Sequence, residues 1–135
     1  STAPNGWALN FNTNLDVPAS YTNTGRRLVQ FAAPGGDFDG PGGSCTVQGF
    51  TTTCWVFDMV LSPAFGPATY FWAAGTSMAA PHAAGVAALI IGKAGGTLSP
   101  DQVDLRMRIG ADDLGPRGQD SVFGHGRVNA WRSVR

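Results

Sequence analysis

Apolar positions along this 135-residue chain fall into short clusters divided by glycine, proline and asparagine, with one long exception. Leu28-Val29-Gln30-Phe31-Ala32 predicts a strand stopped by Pro34-Gly35-Gly36, and Trp55 to Leu61 predicts another. Tyr70 to Ala74 has the aromatic and small residues of a buried strand. The exception runs from about 76 to 93 and is apolar nearly all round. It predicts a helix buried on every side rather than an amphipathic one, with Pro81 in an early turn and Gly95-Gly96 ending it. Ser99-Pro100-Asp101-Gln102 then opens a second helix: Ser caps it, Pro fits the first turn and Gln102 completes a capping box. Val103, Leu105, Met107 and Ile109 alternate there with charged residues, which marks a surface helix. Asn129 to Val134 predicts a short terminal helix. Residues 1–27 and 62–69 read as loop, as does the glycine-rich stretch after Gly36.

Composition narrows the class. Charged residues are 13% of the chain, about half the usual share, and glycine is 19 of 135, so a close-packed, turn-rich domain is expected. Nine basic and nine acidic residues cancel, which offers nothing to nucleic acid or to an anionic membrane surface. No apolar run approaches the roughly 18–20 residues of a membrane span. The chain carries no leader pattern and opens as if already inside a domain.

Three groups of residues are candidates for chemistry. Ser77 lies on a glycine-containing turn where a strand passes into a helix, in Gly75-Thr76-Ser77-Met78-Ala79-Ala80-Pro81-His82. At a helix start the first N–H groups lack intrahelical partners and the dipole's positive end points outward. Ser77 can there offer its hydroxyl for attack while its own N–H stabilises the resulting oxyanion. Cys45 and Cys54 bracket a β-rich stretch with a turn-forming Gly49. They suit a disulfide across a small hairpin, worth roughly 2.5–3 kcal/mol in the chain-entropy model, with two partly buried free thiols as the alternative. A disulfide implies an oxidising, extracellular setting, and two Cys without a suitably placed His make no zinc site. Asn10, Asn12, Asn14 and Asp16 are spaced like calcium ligands, but a polar loop of Asn-made turns is the stronger reading.

The Gly75–His82 stretch, with Ala84-Gly85-Val86-Ala87-Ala88-Leu89 behind it, resembles the nucleophile signature of the subtilisin-like serine proteases, the subtilases. Ala19 to Gly25 and Phe31-Ala32-Ala33-Pro34-Gly35 resemble the segment before that signature. Ser99 to Val103 and Gly124 to Ala130 resemble the segment that closes the catalytic domain. The resemblance implies an α/β, parallel-sheet subtilisin-like fold, with residues 1–135 as its C-terminal part and the Cys hairpin as a small insertion. It implies that Ser77 is the nucleophile and a backbone oxyanion donor, that Thr76 supports the oxyanion hole, and that the substrate is a polypeptide. No cofactor is implied, and no metal beyond an unassigned structural calcium.

The remaining machinery does not fit in this chain. In this family the base His lies roughly 150 residues before the nucleophile, whereas only 76 residues precede Ser77 and none is His. His82 is five residues past Ser77, about 140° round a helix from it, and is expected to pack; His125 sits in a Gly-rich turn and matches no catalytic position. No Asn before Ser77 has the A-G-N context of the family's side-chain oxyanion donor. The base, its orienting Asp and that Asn are therefore expected from a missing N-terminal half, and the chain alone is expected to be essentially inactive. The competing reading is a non-catalytic fragment or pseudo-enzyme module that folds or binds, although such a module would tolerate loss of Ser77. An α/β-hydrolase esterase is excluded because Met78-Ala79 follow Ser77 where the G-x-S-x-G elbow needs glycine.

Overall fold

The computed structural model describes residues 1–67 and 69–135, so only Ala68 of the expected 62–69 loop lies outside the described residues. The chain divides into two compact units: Ser1–Thr22 with Pro34–Ala79, and Asn23–Ala33 with Ala80–Arg135.

The first unit holds six short strands in three antiparallel pairs. β1 (Thr2–Ala3) pairs with β2 (Val17–Pro18), β3 (Ser44–Val47) with β4 (Phe50–Thr53), and β5 (Val60–Pro63) with β6 (Tyr70–Ala73). Gln48-Gly49 alone joins β3 to β4, with φ of 52° and 81°. Positive φ at both central residues suits the right-handed twist of the flanking strands. Opposed Thr46 and Thr51 hydroxyls meet at 2.7 Å across this pair. Cys45 is bonded to Cys54, the first residue of a 3-10 helix over Cys54–Asp58. Around that disulfide pack Phe57, Trp7, Ala8, Val47 and Trp72. Phe57 meets Trp72 edge to face at 5.7 Å, within the favoured range for aromatic pairs.

Buried Asp58 completes the small core, because its two carboxylate oxygens accept the N–H groups of Gly6 (2.8 Å) and Trp7 (2.9 Å). Backbone donors of this kind let a charged group be buried at tolerable cost. They also correct one expectation, since the predicted strand from Trp55 to Leu61 is instead the 3-10 helix followed by β5. Cys54 is tied back to β3 and Asp58 turns inward to the 6–7 turn, two constraints that local pattern does not contain. In the 10–16 loop, Asn10 and Asn14 accept the N–H groups of Asn12 and Asp16 through their own side-chain oxygens, which makes the turns expected of them.

Expected parallel strands are the second correction. Among the described residues every ladder is antiparallel, and parallel pairing is confined to the single bridges Thr2–Pro34 and Ala32–Arg127. The run at 28–32 is accordingly no strand: Leu28 lies in a turn, exposed, and only Phe31 and Ala32 make bridges. A strand needs a run of consecutive backbone partners along at least one edge, and within 28–32 bridges form only at Phe31 and Ala32.

Helix α1 (Thr76–Lys93) begins in the first unit and continues into the second, which also holds α2 (Pro100–Gly110) and α3 (Ala130–Ser133). α1 keeps the predicted bounds but not the predicted burial. Ala79, Val86 and Ile90 are buried along one stripe, whereas Leu89 is 55% and Ile91 38% exposed. A helix apolar on every side needs partners on every side, and among the described residues Leu89 and Ile91 of α1 are left exposed. The Ser99–Gln102 capping box forms reciprocally, and Asn129 caps α3 by accepting the Arg132 N–H at 3.0 Å.

Asp112 ties the second unit's C-terminal end together. It receives Arg127 at 2.7 Å, the Asn129 amide at 2.9 Å and Arg132 at 3.0 Å, while its backbone pairs with that of Arg127. Burial pushes its carboxyl pKa up, but the hydrogen bonds from Asn129, Arg127 and Arg132 outweigh this and hold it below the ordinary value. Two glycines permit the arrangement. A Cβ on Gly126 (φ 114°) would fall 2.2 Å from the Asp112 carbonyl oxygen, and one on Gly124 would fall 2.3 Å from that of Gln30.

Two outcomes are expected. Gly126→Ala should cost at least ~2 kcal/mol in denaturant unfolding, through backbone strain plus the clash. A pKa depressed on folding contributes stability above the unfolded value, about 3.9 for Asp. The Asp112 contribution is therefore lost as pH falls below about 4, and thermal melts between pH 7 and pH 2 should show a shallower acid decline in Asp112→Asn than in the parent.

Candidate active site

Ser77 sits where β6 gives way to α1. After Ala73 come Ala74 and Gly75, and the Gly75 carbonyl accepts the N–H groups of Met78 (2.9 Å) and Ala79 (3.3 Å), which closes the first turn of the helix. The N–H of Ser77 is thus among the first-turn donors with no intrahelical acceptor, at the positive end of an 18-residue helix. Both Thr76 and Ser77 are exposed. Pro81 has no N–H to return to the Ser77 carbonyl four residues back.

A neighbouring loop braces this turn. The Gly75 N–H donates to the Gly35 carbonyl at 2.9 Å, and the Gly35 N–H donates to the Thr2 carbonyl at 2.9 Å. The contact is tight: a Cβ on Gly35 would stand 2.7 Å from the Gly75 oxygen. The Tyr21 hydroxyl donates to the carbonyls of Gly35 (3.1 Å) and Gly36, and its ring stacks on Phe38 with centroids 5.3 Å apart. Asp37 ties the same loop to the 19–22 turn by accepting the Ser20 N–H at 2.6 Å and the Ser20 hydroxyl at 2.7 Å. Burial pushes the Asp37 pKa up, but those bonds, with the N–H groups of Asp39 and Phe38, hold it below the ordinary value. Burial raises the Tyr21 phenol above its ordinary value, which keeps its donating proton in place.

The sequence pointed to Ser77 and Thr76 but assigned no role to Tyr21, Gly35 or Asp37, although Tyr21 and Gly35 lie in blocks that resemble the family. Neither histidine is offered to Ser77 as a base within its own turn. His82 lies five residues on along the same helix, about 140° round the axis. His125 is held within the second unit, where its N–H donates to the Gln30 carbonyl at 2.8 Å and its ring lies 5.9 Å from that of Phe31. Ser77 is therefore an exposed residue in the first turn of α1.

Comparison with known proteins agrees with this geometry. The chain is 42% identical over 72 residues to an extracellular serine protease of Serratia marcescens and 42% identical over 66 residues to the serine protease AprX of Bacillus subtilis. Those stretches are 53% and 48% of this chain but 6% and 14% of the two proteins, so it spans a small part of either. The crystal structure of a lanthipeptide protease superposes with a TM-score of 0.64 at 32% identity, over 84% of this chain and 36% of that one. No helix among the described residues is long and apolar enough to cross a membrane. Residues 11–126 match the subtilase family, peptidase S8, and the chain belongs to that family of serine proteases.

Proposed function

We propose that residues 1–135 are the C-terminal part of a subtilase catalytic domain, and that Ser77 is the nucleophile of a secreted serine endopeptidase. The supporting observation is the exposed Ser77 at the N-terminus of α1, inside the signature Gly75–His82 and inside the family match. The Ser77 hydroxyl attacks the scissile carbonyl of a polypeptide and forms an acyl-enzyme that water then hydrolyses. Its N–H takes part of the oxyanion's charge, with Thr76 supporting that hole. An imidazole base, its orienting carboxylate and a side-chain oxyanion donor come from an N-terminal portion that also carries most of the substrate cleft. The same portion would supply neighbours for the uncovered faces of α1. The chemistry needs no cofactor, and the disulfide fits an extracellular site of action.

A serine-directed fluorophosphonate probe tests the reading. The isolated chain should label no faster than its Ser77→Ala variant, because loss of the base costs several orders of magnitude in rate. Joined to an N-terminal portion carrying the Asp and His, the parent chain should label readily and Ser77→Ala not at all. Rapid labelling of Ser77 in the isolated chain would overturn the requirement for that portion. A complemented chain that folds yet neither labels nor cleaves casein would leave a non-catalytic module.

A further inference from the structure

We propose that Tyr21 is a positioning residue for the Ser77 turn, acting through the Gly35 carbonyl that its hydroxyl shares with the Gly75 N–H. The inference rests on the reading of Ser77 as nucleophile.

Gly75 is two residues before Ser77, and its carbonyl closes the turn from which the Ser77 N–H projects. Any drift of Gly75 is passed to the Ser77 hydroxyl and N–H together. The external restraint on Gly75 is its N–H bond to the Gly35 oxygen at 2.9 Å. That oxygen is in turn held by the Tyr21 hydroxyl at 3.1 Å, and the same hydroxyl reaches the neighbouring Gly36 oxygen. A phenol has one proton, so it is shared between two adjacent carbonyls and fixes the orientation of the peptide between them. The Ser1 hydroxyl, 3.3 Å from the phenol oxygen, fills the acceptor side of the same group as donor.

The clamp is rigid on both sides. Stacking on Phe38 at 5.3 Å fixes the ring of Tyr21, and the Ser20–Asp37 bonds fix the turn that carries it. Gly35 leaves no slack, because the Gly75 oxygen occupies the space a Cβ would need. Without the hydroxyl, two buried-side carbonyls lose a donor while the ring stack and the Asp37 bonds survive. The loop then relaxes by tenths of an ångström, and the serine with it. Reactions that depend on near-attack geometry are sensitive to displacements on this scale.

The test uses the chain joined to the N-terminal portion that supplies the base, with a fluorophosphonate probe as reactant. Tyr21→Phe should lower the maximal labelling rate of Ser77 about tenfold and leave the half-saturating probe concentration within about twofold. Its melting temperature should fall by no more than about 5 °C. Val86→Ala, a core change within the second unit, serves as the stability-matched control and should label at the parent rate. If Tyr21→Phe does not fold, a multiply fluorinated tyrosine at position 21 carries the test. Ring fluorines lower the pH at which its phenol ionises, against the opposing effects of burial and the Asp37 carboxylate, so that it has no proton to donate at pH 9. Labelling there should drop about tenfold relative to the parent. An unchanged maximal rate, a change confined to half-saturation, or an equal loss in Val86→Ala would overturn the role of Tyr21. Ser77→Ala separates the two readings: retained labelling in that variant refutes the nucleophile itself, whereas loss there with a normal Tyr21→Phe refutes only the clamp.

Discussion

The carbonyl of Gly35 and the N–H of Gly75 meet at 2.9 Å, and the geometry of the candidate site depends on that contact. Through it the loop after Ala33 sets where β6 ends and α1 begins. The contact is backbone to backbone, and neither partner offers a side chain that could swing aside. A Cβ at position 35 would meet the Ser1 hydroxyl oxygen at 2.0 Å and the Gly75 carbonyl oxygen at 2.7 Å, so glycine suits the position. The exposed serine is therefore aimed by residues some forty positions earlier in the chain. Such reach is common where a hydroxyl must be held to a fraction of an ångström for attack.

Carboxylates do much of the remaining fastening. Asp58 gathers the 6–7 turn in the first unit's core, Asp37 gathers the 19–22 turn, and Asp112 gathers Arg127, Asn129 and Arg132 in the second unit. A chain with short strands and long turns leaves many backbone donors outside any ladder, and those donors need partners. A carboxylate with two oxygens accepts several at once, and its charge strengthens each bond. This gives the few charges of the chain a structural occupation.

α1 joins the structural and the functional accounts. Its N-terminus presents Ser77 with an unpaired first-turn N–H, and its length is apolar on nearly every side. Among the described residues, full burial along α1 is confined to Ala79, Val86 and Ile90. The uncovered faces and the absence of an assigned base are two aspects of one circumstance in the proposed reading. The portion that would bury the helix is also the portion that would activate the serine. Nucleophile, base and oxyanion donors act as a unit, so the chain's share of the machinery is not a proportional share of the rate.

What could be read from sequence was whatever short-range chemistry determines. α1 has its expected bounds because the run of small apolar residues and Gly95-Gly96 delimit it. The capping boxes and caps at Ser99 and Asn129 formed because each is complete within four residues. The serine signature and the Cys45–Cys54 pair were legible for the same reason. Whatever depends on a distant partner was not legible. The run 28–32 has strand composition but finds partners only at Phe31 and Ala32. The run 55–61 is bent by a disulfide to β3 and by Asp58 turning to Gly6 and Trp7, and pairing came out antiparallel. Tyr21 is one aromatic among several until the fold brings its hydroxyl to the carbonyls of Gly35 and Gly36. Local sequence determined which residue is the candidate nucleophile, because the signature around Ser77 is complete within one turn. Tertiary structure alone decided what holds it in place, because a hydrogen bond between segments far apart in the chain exists only once both are folded.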